Sequence, residues 1–203
     1  MLNFKVYDDK FDTSYLINNR ERIITSIANC DVDSWQMTGG FCNVLETIDD
    51  KHYKLRHHRD VVYDLSNIKN KQLFEQMFFK IYNVGHFKCL KRNYQYNETF
   101  IEHFSFMAEF FDSLPFTRIR EILIIILPAG VETVIHKDPG HLNPDRFIYI
   151  TEDLNKPFFI YDEISKERKY ISSYSAEWGW DLWHGADATD YATFAFKVKG
   201  DIL

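Results

Sequence analysis

Two histidines and one aspartate hold the most chemically suggestive pattern in this chain. His136-Lys-Asp138 sets an imidazole and a carboxylate two positions apart, and on a strand that spacing aims both side chains at one face. A third donor, His184, follows in Trp183-His-Gly185. Two imidazoles and one carboxylate from separated strands make the facial triad that grips non-haem Fe(II) while leaving coordination positions open. A second pair of the same form, His58-Arg-Asp60, overlaps the end of the basic run 51–59. It has no strand frame and reads as a solvated basic segment. Cys30, Cys42 and Cys89 form no CxxC pair and read as buried, reduced thiols.

The elements around these donors change character along the chain. After Pro115 short apolar runs predict strands over 121–127, 131–136, 146–151, 157–161, 169–174, 178–183 and 192–199, with Pro128-Ala-Gly130 as a turn. His184 is expected at the end of the strand over 178–183. Strands so spaced suggest a sandwich or barrel, and the expected architecture is a jelly-roll, cupin-like double-stranded β-helix behind a helical N-terminal layer. Apolar stripes predict helices over 14–28, 71–82 and 98–114, the last through Ile101, Phe104, Met107, Phe110 and Phe111. We expect one domain over 1–203, with a mixed layer over 1–115 and the metal-bearing core over 116–203.

Composition narrows the function classes. In 203 residues the hydrophobic fraction is 45% and the aromatic fraction 17%, too apolar for a disordered chain, while charged residues interrupt any run long enough to span a membrane. A net charge of −6 argues against nucleic acid as the partner. The N-terminus has no signal-peptide pattern, so the expected compartment is the cytoplasm. Of the clustered tryptophans, Trp178 and Trp180 share a strand face and are expected in the core. Trp183 has the opposite parity and is, besides core packing, a candidate substrate wall beside His184. His141, just past the Pro139-Gly140 turn, is a second candidate substrate contact.

The ordered combination of an apolar strand, Leu127-Pro-Ala-Gly130, His136-Lys-Asp138, Arg146 opening a strand and a distal His184-Gly185 resembles the Fe(II)- and 2-oxoglutarate-dependent oxygenases. It is most similar to their aspartyl/asparaginyl β-hydroxylase-like branch. The resemblance spans residues 121–200 and does not reach residues 1–100. It implies a double-stranded β-helix with His136, Asp138 and His184 as iron ligands, 2-oxoglutarate and O2 as co-substrates, and hydroxylation of an amino-acid, peptide or protein side chain. Such relatives carry an Arg shortly after the distal His, where this chain has Phe194. If Phe194, Phe196 and Val198 face the barrel interior, alternation turns Lys197 outward. Arg146 is then expected to hold the distal carboxylate of 2-oxoglutarate through its two-pronged guanidinium. Two other readings stay open at this level: a non-catalytic cupin-like or β-sandwich binding or assembly module, and a cupin metal enzyme that does not use 2-oxoglutarate. The oligomeric state is not legible from the sequence.

Overall fold

The computed structural model describes residues 4–30, 35–37, 43–49, 52–57, 86–127, 129–130, 132–138, 146–155 and 158–203. In its second half the strands are β7 (Phe116–Leu127), β8 (Thr133–His136), β9 (Arg146–Thr151), β10 (Phe158–Asp162), β11 (Glu167–Tyr170), β12 (Ser175–Trp178), β13 (His184–Ala186) and β14 (Thr193–Ile202). They are dealt alternately between two antiparallel sheets. One contains the order β12-β9-β14-β7 and the other β11-β10-β13-β8. Because consecutive strands from β7 to β10 and from β11 to β14 belong to opposite sheets, the chain winds around a common axis. That winding is a double-stranded β-helix, as the strand spacing suggests.

The first half extends both sheets. In the larger one β1 (Phe4–Val6) pairs with β12, while β5 (His86–Arg92) pairs with β7, β2 (Gln36–Met37) and β6 (Gln95–Tyr96). In the smaller one β3 (Asn43–Asp49) lies between β8 and the edge strand β4 (His52–His57). Residues 52–57 of the basic run therefore form a strand. His58 and Asp60 lie outside the described residues, as do the helix expected over 71–82 and Cys42.

Two helix expectations are met with changes of phase. The stretch over 14–28 is two helices, α1 (Ser14–Asn18) and α2 (Arg20–Asn29), separated at Asn19, whose φ of −105° and ψ of 10° break the spiral. Over 100–112 the chain passes through π, 3-10 and α geometry in turn. The wide π turn advances the face, so Phe100 is buried and Ile101 is 63% exposed, the reverse of the α-helical stripe. Two strand boundaries also move. The expected strands over 169–174 and 178–183 become β11, β12 and a turn in which the Leu182 amide donates to the Gly179 carbonyl at 3.0 Å. His184 consequently opens β13 and does not end the preceding strand.

The centre of the larger sheet is buried on both faces. Ile122, Ile124, Ile126, Ile148, Ile150, Phe194, Phe196 and Val198 pack against the helices, through contacts such as Phe196 edge-on to Phe111 at 5.3 Å. Residues of the other parity, Phe147, Tyr149, Ala176, Trp178 and Ala195, meet Phe158 and Ile160 of the smaller sheet to form the barrel interior.

An ion pair fastens α2 to the end of β9. Glu152 is 6% exposed, takes Arg20 Nε at 2.7 Å and accepts the Phe194 amide at 3.3 Å. Burial disfavours its charged form and outweighs Arg20 and the amide, so its pKa is raised from the ordinary 4.5. Between the unfolded and the raised folded value the native chain binds more protons, so this group's contribution to stability falls as pH rises across that window. The difference in unfolding free energy between wild type and Glu152→Gln, from urea titrations at successive pH values, is expected to decline from pH 4.5 upward. A flat or rising difference would refute the assignment.

Candidate metal centre

β8 and β13 are neighbours in the smaller sheet, and their register sets His184 directly opposite His136. The imidazole centroids are 4.2 Å apart. Asp138, two residues past His136, brings Oδ2 to 3.9 Å from His184 Nε2, and one donor atom from each of the three residues lies within 4.8 Å of the others. Strand pairing therefore assembles the donors that sequence spacing singles out.

The site is poised for a cation. His184 is 3% exposed and packs against Trp178 and Phe158, at 5.2 and 6.2 Å between ring centroids. Its Nδ1–H donates to the Leu182 carbonyl at 2.9 Å, which leaves the Nε2 lone pair for the cluster. Burial, reinforced by the neighbouring His136, pushes the His184 pKa down to about 3, so the imidazole is neutral at physiological pH. Burial works against ionisation of Asp138, yet the Lys197 ammonium and then the two imidazoles hold its carboxyl well below the usual carboxylate range. A neutral imidazole and an ionised carboxylate are the metal-binding forms of these groups. Two nitrogen donors and one oxygen donor match the facial-triad composition, so the residues fit a non-haem Fe(II) ion.

Gly185 follows His184 because the sheet leaves no room for a side chain. A Cβ there would sit 2.7 Å from the Thr133 carbonyl oxygen and 2.9 Å from Phe159 Cζ. Gly185→Ala is expected to lower unfolding free energy by about 1–3 kcal/mol, the range for overpacked sites, and to weaken metal binding by spreading β13 from β8. Wild-type stability in a urea titration would contradict this close packing.

Other expected site residues are placed differently. Arg146 shares strand parity with Ile148 and Ile150, which face the helices, and is half exposed. Its Nε and Nη2 donate to Glu177 at 2.5 and 2.7 Å, and Nη2 reaches the Tyr7 hydroxyl at 3.1 Å. It is engaged on the outer surface and turned from the barrel interior, away from the cluster of His136, Asp138 and His184. Trp183 points to the opposite face from His184 and packs with Ile135, Phe159 and Tyr161, under the Lys137 ammonium. The wall beside His184 is instead Trp178, expected only as core. His141 lies outside the described residues.

Lys197 is the residue that sequence reasoning turned the wrong way. Phe194, Phe196 and Val198 face the helices, so alternation directs Lys197 into the barrel. There its ammonium pairs with Asp138 and lies 4.3 Å from the centroid of the Phe147 ring. A lysine between apolar strand residues, one position out of phase with the phenylalanines, was the signal available in the sequence.

No family model matches this chain, and no curated protein matches it. Among solved structures it is similar to an oxidoreductase of the 2OG-Fe(II) oxygenase family from Burkholderia pseudomallei, at 12% identity over 57% of this chain and 67% of that chain, with a TM-score of 0.38.

Proposed function

We propose that this protein is a non-haem Fe(II)- and 2-oxoglutarate-dependent oxygenase that hydroxylates an amino-acid, peptide or protein side chain, as its resemblance to the aspartyl/asparaginyl β-hydroxylase-like branch suggests. The observation that carries this reading is the convergence of His136, Asp138 and His184 on paired strands of a double-stranded β-helix, with donor atoms within 4.8 Å. His136, Asp138 and His184 would hold the iron. With 2-oxoglutarate and O2, such a centre supplies the oxidising power for an unactivated C–H bond.

The chain's own contribution is orientation and exclusion of water. The Leu182 carbonyl fixes the His184 tautomer, and Trp178 and Phe158 pin its ring. Phe147, Tyr149 and Trp178 line the interior with apolar surface, which strengthens electrostatic interactions there. With Arg146 engaged by Glu177, Lys197 is the inward-facing cation beside the cluster and the group we assign to the co-substrate's second carboxylate. Cys30 and Cys89 are free thiols, which suits the reducing cytoplasm we propose as its compartment.

A second reading, a cupin-type metal enzyme that does not use 2-oxoglutarate, is favoured by the pairing of Lys197 with Asp138. The two are separated by adding Fe(II) and then 2-oxoglutarate to metal-stripped protein without oxygen. A weak visible absorbance that needs both additions, and is lost in His136→Ala, is expected for the oxygenase. Iron binding with no response to 2-oxoglutarate would replace it with the second reading.

A further inference from the structure

Lys197 and Lys199 project from the same face of β14, and each meets a carboxylate. Lys199 pairs with Glu121 at 2.5 Å, across the β14–β7 ladder where the two residues stand opposite. Glu121 is also reached by Arg92 Nε at 3.7 Å and is not among the clustered donors. Lys197 pairs with Asp138, which belongs to the cluster. Both partners are largely covered, with side-chain exposures of 11% and 14%, so water screens their attraction weakly.

We infer that Lys197 is an exchangeable counter-ion, which competes with a metal ion for Asp138 and transfers to the second carboxylate of a dicarboxylate ligand, so that metal and dicarboxylate reinforce each other's binding. The inference rests on the metal-site reading and follows from counting charge. Asp138 and Lys197 cancel. A divalent cation on that carboxylate and two neutral imidazoles places two surplus positive charges in a buried space, with the ammonium among them. One carboxylate on the incoming ligand cancels half of this surplus, and two cancel all of it. A ligand that gives Lys197 a new partner therefore relieves the competition at Asp138. The relief is reciprocal, since any factor by which the dicarboxylate tightens the metal is the factor by which the metal tightens the dicarboxylate.

Calorimetric titration of Co(II) without oxygen, in the presence of 2-oxoglutarate or 2-oxobutyrate, tests this. These acids share the 2-oxo acid head and differ in the second carboxylate. In the wild type 2-oxoglutarate is expected to tighten Co(II) about tenfold more than 2-oxobutyrate does, a coupling of ordinary size. In Lys197→Met, Co(II) alone is expected to bind about fivefold or more tighter than in the wild type, and the difference between the two acids is expected to vanish. Should Lys197→Met fail to fold by circular dichroism, Lys197→Gln, which still donates to Asp138 without carrying a charge, serves the same comparison. Unchanged or weaker Co(II) binding by the neutral variant, or survival of the difference between the acids, overturns the exchange while leaving the metal site intact. Absence of Co(II) binding in the wild type overturns the metal-site reading itself, and the exchange with it.

Discussion

The His184→Ala variant is expected to bind Fe(II) or Co(II) at least about 100-fold more weakly than the wild type. Removing a group that only orients a metal ligand typically costs 10–100-fold, so deleting the ligand itself sets that as the lower bound. His184 is an informative choice because its protonation cannot confuse the result. Burial and His136 hold its pKa at about 3, so the wild-type ring presents a neutral Nε2 throughout the pH range of a binding assay. The suitable control is His103, which lies on the helical run 100–112 and contacts Glu102 at 3.6 Å. His103→Ala is expected to leave affinity unchanged. Circular dichroism establishes that His184→Ala keeps its fold, and affinity within threefold of wild type would remove His184 from the metal centre.

Phe196→Ala carries the largest stability effect we expect, a loss of about 3–5 kcal/mol in unfolding free energy, the usual cost of truncating a buried phenylalanine. Phe196 is fully buried, edge-on to Phe111 at 5.3 Å and near Phe194 at 6.0 Å. It joins the helical run to the larger sheet from a strand whose other face carries Lys197. The truncation should therefore loosen β14 and weaken metal binding as a secondary effect. Urea denaturation measures the primary effect, and a loss below about 1 kcal/mol would show that the helices are not packed on this face as described.

Several elements were legible because their signals are local. The β-branched run before Pro128 reads as a strand, and β7 extends the expected run at its start while β14 keeps all of its run but Ala192 and extends it to Ile202. The HxD spacing placed two donors on one face without knowledge of any neighbour. Other features were hidden because they depend on contacts distant in sequence. Gly179 and Asp181 are turn-forming residues, but the alternating tryptophans mask the turn over 179–183 that makes His184 the first residue of β13, and nothing local marks the π turn that buries Phe100 in place of Ile101. The pairing of β3 with β8, which sets Val44 opposite His136, joins segments whose patterns give no register.

Residue chemistry and alternation by themselves determined the donor set, the β-rich second half and the division of β14 into Phe194, Phe196 and Val198 on one side and Lys197 and Lys199 on the other. Only the tertiary structure decided which side is the inside. Alternation sorts a strand into two faces without labelling them, and hydrophobicity supplies the label only when one face meets water. Around β14 the larger sheet has none to offer, since helices cover one face and the smaller sheet the other. The packing of helical residues such as Phe111 onto Phe196 turns the phenylalanines outward from the barrel. The same packing delivers Lys197 to Asp138, and the opposite parity of Arg146 carries it away to Glu177.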